Sequence, residues 1–255
     1  MATAKDIRVA PISAKDAATL VRRLHYSGKV VNNSQLHFGV FLDGRIEGAM
    51  QFGPSMDKRK VQGLVEGTGW HGFLELNRMA FSDRLPRNSE SRAMAVAFRL
   101  IRKHYPHIEW VVSFADGTQC GDGAIYRASG FVLTGLRKNK TILRLPDGTI
   151  VADITLNTEA HAITGKNAGW WKRNGAVSLE GFQMRYIYFL NPAAKDRLTV
   201  PIIPFSKIEE IGASMYKGEK ITRVKQAMTG DQPEQRRRDT DPPAPHSVDG
   251  MQDVA

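Results

Sequence analysis

One cysteine, Cys120, is all the thiol chemistry in the 255 residues. A lone thiol forms no internal disulfide and no zinc site built from several thiolates, so stability must come from packing, and the composition suits a reducing compartment. Long apolar runs are missing too. No stretch approaches the roughly 18 consecutive apolar residues of a membrane-spanning helix. The opening MATAKDIRVA lacks the apolar segment of a secretory signal. A cytoplasmic protein with no membrane contact is expected. Acidic residues are scarce beside basic ones, 26 against 36, for a net charge of +10. That excess favours a polyanionic partner through phosphate contacts and counterion release. Metal-ligand spacing is absent as well: His37, His71, His104, His107 and His161 form no H-x-x-x-H pair on a helix.

What is present is enough apolar content, 42%, for one well-buried core with an appendage. Residues 1–192 read as the main domain. Residues 193–229 carry Val200, Ile202, Ile203, Phe205, Ile208 and Ile211 and are expected to dock on the core as an extended segment with a short helix. Residues 230–255, GDQPEQRRRDTDPPAPHSVDGMQDVA, have almost nothing to bury and read as a disordered tail. Some of the basic charge sits late in the chain, at Lys217, Lys220, Arg223, Lys225 and Arg236 to Arg238.

The first 190 residues alternate in type. IRVAPI reads as a strand, and Ser13 caps a helix through about Leu24 with Ala17, Leu20, Val21 and Leu24 on one face. LHFGVFL and RIEGAMQF flank Asp43-Gly44, a two-residue hairpin signal. FLELNRMAF is the next strand. A polar loop then leads to a helix from about Ser89, whose inner face is expected to carry Met94, Ala97, Phe98, Ile101 and Tyr105. WVVSFA has the continuous apolar character of a central strand. A loop rich in Gly and Asp, a short helix GAIYRAS, a strand FVLTGLR, a hairpin around Asp147-Gly148 and a last strand RYIYFL complete the core.

This order resembles the GNAT fold, an α/β (α+β) architecture whose mixed, splayed central sheet has flanking helices. Tyr126-Arg127-Ala128-Ser129-Gly130-Phe131 is similar to the Y-x-x-x-G-F segment that closes the last short helix of many GNAT enzymes. Four further segments resemble the Mom family of phage DNA adenine modification proteins: His25 to Gly28, Glu75 to Arg78, Asn88 to Arg92, and Asp116 to Tyr126. The strand Arg185 to Leu190 adds to the match, which spans roughly residues 15–190. The resemblance implies an enzyme in the cytoplasm of the host cell that converts adenine in DNA to its carbamoylmethyl derivative and so hides restriction sites.

Each candidate residue has a structural reading beside the functional one. His25 and Tyr26, where a helix gives way to a loop, border the acceptor site in GNAT proteins; they also suit a satisfied helix end. Arg78 is suited to holding a phosphate or carboxylate, or to a salt bridge on a sheet face. Arg87, Asn88, Ser89, Ser91 and Arg92 run into a helix N-terminus, a place for donor phosphate or for ordinary capping. The stretch RLPRNSESR holds no glycine, unlike the pyrophosphate loop of coenzyme-A users. Asp116, at the end of a central strand, is the leading catalytic candidate, as proton acceptor or metal ligand, against the role of a turn-forming Asp before Gly. Tyr126 matches the GNAT position that protonates the leaving group; its alternative is a core tyrosine. His25, Asp116 and Cys120 are the residues available to iron, should iron be used. Trp170, Trp171, Lys172 and Arg173 suit stacking on a base and gripping DNA backbone, or covering a sheet edge.

A paired adenine is out of reach of a sheet cleft, so the resemblance implies a flipped base. The acyl donor is either acetyl-coenzyme A or an activated glycine such as glycyl-tRNA, which would make tRNA a second nucleic-acid partner. Two other functions fit the same elements: a GNAT acetyltransferase acting on a protein or small-molecule amine, and a non-catalytic nucleic-acid-binding module.

Overall fold

The computed structural model describes residues 2–216 and 219–220. The tail expected at 230–255, and the residues from 221 that lead to it, lie outside the described residues. The chain forms strand β1 (Arg8–Pro11), helix α1 (Ala14–Leu24), β2 (Leu36–Leu42), β3 (Arg45–Gly53), a short α2 (Lys58–Gln62), β4 (Phe73–Phe81), α3 (Ser89–His104), β5 (Trp110–Asp116) and α4 (Ala124–Ala128). β6 (Val132–Arg144) and β7 (Ile150–Ala152) follow, then a helical insertion with α5 (Asp153–Thr155), α6 (His161–Thr164) and α7 (Ala168–Arg173), and then β8 (Val177–Phe189). α8 (Ser206–Glu210), β9 (Met215–Tyr216) and β10 (Glu219–Lys220) complete the described chain.

Eight strands make one mixed sheet in the order β1-β2-β3-β4-β5-β8-β6-β7. Its one parallel contact, β4 with β5, lasts only three residue pairs, Phe73↔Trp110, Leu74↔Val111 and Glu75↔Val112. Beyond Glu75 and Val112 both strands continue unpaired to each other, so the sheet splays at its centre. The pair is pinned just before it parts: the Phe73 and Trp110 rings stack 4.4 Å apart, and Trp110 Nε1 donates to Thr68 Oγ1 at 3.0 Å. β4 bulges at Asn77, the extra residue between the pairs Gln51↔Arg78 and Phe52↔Leu76, which sharpens the local twist on the β4 side of the splay.

Local chemistry explains the elements. Ser13 Oγ accepts from the Asp16 N–H at 3.1 Å and starts α1. Asp43 (φ 49°) and Gly44 (φ 74°) both take the left-handed backbone that a tight hairpin between right-twisted strands requires. Met94, Ala97, Phe98 and Ile101 of α3 pack on one face of the sheet with Val111 and Ala115, while Trp110 and Val112 face a second cluster with Val61, Leu64 and Ala194. β5 is thus covered on both faces, as its apolar run implies. Tyr105, expected on the inner face of α3, is instead its C-cap and 38% exposed, because the helix ends at His104.

Two expectations about extent are corrected. FVLTGLR and the TILR segment are a single 13-residue strand, β6, and β8 begins at Val177 rather than near Arg185. The two pair from Val132↔Ile187 to Arg144↔Val177, forming a long arm. Lys138 to Lys140, the polar stretch between the two segments, joins them because β8 pairs with Lys138 and Asn139, and Asn139 is buried. The insertion helices close the arm's end over a small core of Leu143, Leu145, Leu156 and Ala168, with Trp171 packed against it. In the segment after β8, Ile208, Ala213 and Met215 are buried, Ile203 and Val200 are partly buried, and Ile202, Phe205 and Ile211 stay exposed. Among the described residues no helix is long and apolar enough to cross a membrane.

Candidate active site

The splay between β4 and β5 gathers polar and ionisable groups from four places in the chain. β4 supplies Glu75 and Arg78, the end of β5 supplies Ser113 and Asp116, the loop after α1 supplies His25 and Tyr26, and the segment from Asp116 into α4 supplies Cys120 and Tyr126. Their mutual influence is visible in their protonation. Burial lifts the Tyr26 phenol to about 12, and the nearby Cys120 and Asp116 push the same way against Arg78. The residue as a whole is 54% exposed, so Tyr26 lies at the rim of the group. Burial raises the Tyr126 phenol still further, opposed by a hydrogen bond with Ser113 and reinforced by Cys120, Tyr26 and Glu75. Glu75 sits above the ordinary carboxylate range because burial outweighs its hydrogen bonds with Ser55 and Asn77 and the attraction of Arg78.

His25 is held down to about 4, first by burial and then by the Arg78 guanidinium, so it is a neutral imidazole at physiological pH. Its Nδ1 accepts the Ser27 backbone N–H at 3.2 Å and lies 2.8 Å from Ser27 Oγ. With Nδ1 accepting, Nε2 carries the proton, and His25 is set to donate rather than to act as base. Its ring centroid lies 4.2 Å from that of Tyr26. Arg78 is anchored by Nε to the Lys29 carbonyl at 2.9 Å and by a terminal nitrogen to the Asn77 carbonyl at 2.6 Å. These bonds tie the His25–Lys29 loop to β4.

Asp116 performs the turn role in full: Oδ1 accepts the Thr118 N–H at 2.9 Å, and its carbonyl accepts Cys120 N at 2.8 Å. Oδ2 accepts from Asn139 Nδ2 at 3.2 Å, which ties the loop to the arm. Each oxygen retains a lone pair, so the carboxylate can still take part in chemistry. The iron expectation fits poorly. Among the described residues no group of three or more His, Cys, Asp or Glu side chains could hold a metal ion, so His25, Asp116 and Cys120 are not a ready ligand set. His25 Nδ1 and both Asp116 oxygens already have hydrogen-bond partners.

The Arg87–Arg92 segment stands apart. Asn88 is the N-cap of α3 with left-handed backbone (φ 69°), and no side chain caps the helix, so ordinary capping does not account for these residues. Ser89 Oγ is buried without a hydrogen-bond partner, while Ser91 Oγ bonds back to the Asn88 carbonyl at 3.1 Å. A cavity of about 210 Å³ beside the turn is lined by Ser82, Asp83, Arg87, Ser89 and Glu90 among others. Arg92 is exposed on the outer face of α3. Trp170, Trp171, Lys172 and Arg173 lie on α7 at the end of the arm, outside the splay. Lys166 Nζ covers the Trp170 ring at 4.5 Å, the two indoles meet edge to face at 5.0 Å, and Lys172 and Arg173 are exposed. Lys29 Nζ reaches Thr155 Oγ1 at 3.2 Å, so the insertion borders the His25–Lys29 loop. Glu75 is a further candidate that the sequence reading did not single out; an acid close to Asn77 and Arg78 in the strand FLELNRMAF was the signal available.

A mixed α/β sheet, splayed between two central strands with enclosed acid–base groups at the divergence, is the GNAT-like class of fold. Within it, the chain belongs to the Mom protein family, whose profile matches residues 6–207. It is 40% identical over 201 residues to the protein named Methylcarbamoylase mom of Escherichia phage Mu, covering 78% of this chain and 81% of that protein. Solved structures with similarity include the ribosomal-protein-S18-alanine N-acetyltransferase of Escherichia coli, at 10% identity and a TM-score of 0.40 over 72% of this chain and 94% of that one. A GNAT family acetyltransferase of Elizabethkingia anophelis with acetyl-CoA bound has 12% identity and a TM-score of 0.38 over 72% and 98% of the respective chains.

Proposed function

We propose that the protein modifies the exocyclic amine of adenine in DNA, leaving a carbamoylmethyl group that shields phage DNA from restriction. The observation that carries this reading is the enclosed cluster of Glu75, Arg78, Tyr126, Tyr26 and His25 at the splay. Family membership, the name of the Mu relative and the +10 net charge support the substrate. In this reading residues 1–192 form the catalytic domain, residues 193–229 dock on it, and residues 230–255 form a tail whose contact with DNA is through the run Arg236 to Arg238.

The target adenine enters the splay as a flipped base, at an unstacking cost of a few kcal/mol offset by backbone contacts from Lys172 and Arg173 and by stacking on Trp170 or Trp171. Glu75, whose raised affinity for protons suits a base near neutral pH, takes the proton from the attacking amine, with Asp116 as the second carboxylate available. Tyr126, protonated at all physiological pH values, supplies a proton to the leaving oxygen or sulfur. His25 Nε2–H and Arg78 stabilise charge on the donor carbonyl oxygen. The uncapped turn at Asn88 to Ser91, with Arg87 and Arg92, holds donor phosphate.

Amide formation alone cannot place a methylene on the adenine nitrogen. An activated glycine solves the mismatch. The amine attacks the glycyl carbonyl, the ester oxygen leaves with a proton, and a glycyl amide forms. The glycyl amine then attacks ring carbon six, and the original nitrogen departs from that carbon as the carboxamide, an isomerisation through a five-membered ring favoured by proximity. Nucleoside analysis of DNA from cells supplied with nitrogen-15 glycine tests both the product and the donor. Label attached directly to ring carbon six supports the whole scheme. An unlabelled adduct with its two carbons derived from acetate overturns the glycine donor in favour of acetyl-coenzyme A. Acetylated protein or metabolite with unmodified DNA overturns the substrate, and no product of any kind overturns catalysis.

A further inference from the structure

We propose that the segment from Ile203 to Tyr216 is a strap that holds the active-site loop in register, with Asp122, Arg127 and Ser214 as its positioning residues. The loop Asp116 to Gly123 carries three glycines, at 117, 121 and 123, and so has little stiffness of its own. Its rigidity is imported at its buried end. The Asp122 carboxylate, almost wholly out of water, pairs with Arg127 at 3.0 Å and accepts from Ser214 Oγ at 3.1 Å. The Asp122 carbonyl accepts from Tyr186 Oη at 2.6 Å and from Arg127 at 2.8 Å. A buried ion pair of this kind adds little net stability, but with one partner lost the other is left charged and unpaired, so it enforces a single arrangement.

The strap engages the loop at two further points. Gly121 bridges to Tyr216 in antiparallel fashion. Gly117 lies so close to Met215 that an added Cβ would sit 2.9 Å from the Met215 Cβ. Upstream, Ile203 bridges to Leu133 of β6, and Ile208, Ala213 and Met215 are buried. The strap is therefore fastened to the sheet at one end and to the loop at the other. Arg127 adjoins Tyr126 in α4, and the Tyr126 ring lies 5.3 Å from that of Tyr186. The same ion pair thus sets both the Asp116–Cys120 side of the site and the Tyr126 hydroxyl.

The catalytic consequence rests on the function proposed above, whereas the mechanical one does not. The amides of Gly117 and Cys120 are hydrogen-bonded in the closed loop, to the Phe182 carbonyl at 3.0 Å and the Asp116 carbonyl at 2.8 Å, so their hydrogen-exchange rates report loop order independently of any reaction. The full-length chain and its Ser214→Ala, Ser214→Thr and Asp122→Asn variants are compared for exchange of these amides, for circular dichroism, and for kcat and KM of DNA modification. In Ser214→Ala, exchange is expected to speed up about threefold or more as the loop opens locally. kcat is expected to fall about a hundredfold, the scale of an ångström-sized misplacement, with KM little changed. Ser214→Thr restores both, and Asp122→Asn behaves as Ser214→Ala or worse. Unchanged exchange in folded Ser214→Ala overturns the strap, as does faster exchange with undiminished kcat. Should Asp122→Asn not fold, the two Ser214 variants decide. If the wild type modifies no DNA, the proposed function fails while hydrogen exchange still decides the strap.

Discussion

Replacing Glu75 by Gln removes one charge from the splay and leaves the side chain's size unchanged. Two measurable quantities should move in opposite senses. A general base contributes about a hundred- to ten-thousandfold in rate. At about 1.4 kcal/mol per decade, loss of that base raises the barrier by about 3–5 kcal/mol. Stability should respond the other way. The folded carboxyl holds its proton above the ordinary 4.5, because burial penalises the anion more than Ser55, Asn77 and Arg78 favour it. The folded state therefore binds the proton more tightly than the unfolded chain. Its contribution to stability is fully present below the ordinary carboxylate value and is lost as pH rises through the raised one. Glu75→Gln cannot lose it, so the stability of the variant relative to wild type must rise across that window. Urea denaturation from pH 4 to 8, with single-turnover modification assays on the same preparations, measures both. Turnover within about threefold of wild type would remove Glu75 as the base. A parallel pH dependence of stability in the two proteins would refute the account of its burial.

Asp116→Ala and Tyr126→Phe should abolish modification with the fold intact by circular dichroism, since both are polar groups at the cleft; full activity in either removes that residue from the site. Gly123→Ala forces a side chain onto a backbone at φ +78° and a Cβ to within 2.4 Å of the Tyr186 ring. Strain and overpacking together should cost about 2–4 kcal/mol, read as a shift in the urea midpoint. Changing Lys172 and Arg173 together to Ala should lower the slope of log affinity against log salt by about two, one for each lost phosphate contact, and an unchanged slope takes α7 out of the DNA interface. Changing Arg236, Arg237 and Arg238 together to Ala should weaken DNA binding at moderate salt yet preserve some turnover, and complete inactivity of the soluble variant would make this run catalytic.

Local chemistry decided much of the architecture before any long-range contact entered. Ser13 as a cap, Asp43-Gly44 as a tight turn, the α3 stripe of Met94, Ala97, Phe98 and Ile101, and the largely apolar β5 are legible because each depends on a residue and its near neighbours. Short-range patterns also marked His25 and Tyr26 after α1, Arg78 within β4, Asp116 at the end of β5 and Tyr126 within α4 as candidates. Tertiary structure decided the rest. Lys138 and Asn139 are strand because β8 supplies their partners, and the helical insertion closes the end of the arm with an apolar cover. Glu75 is the plainest case. In sequence it is one acid in a strand, and only the parting of β4 from β5 encloses it beside Tyr126 and Arg78 and alters its proton affinity. Asp122 becomes important in the same way, through Ser214, 92 residues away. Periodicity and capping act over one turn or one hairpin and are written locally, whereas desolvation and ion pairing depend on which distant segments exclude water from a charge.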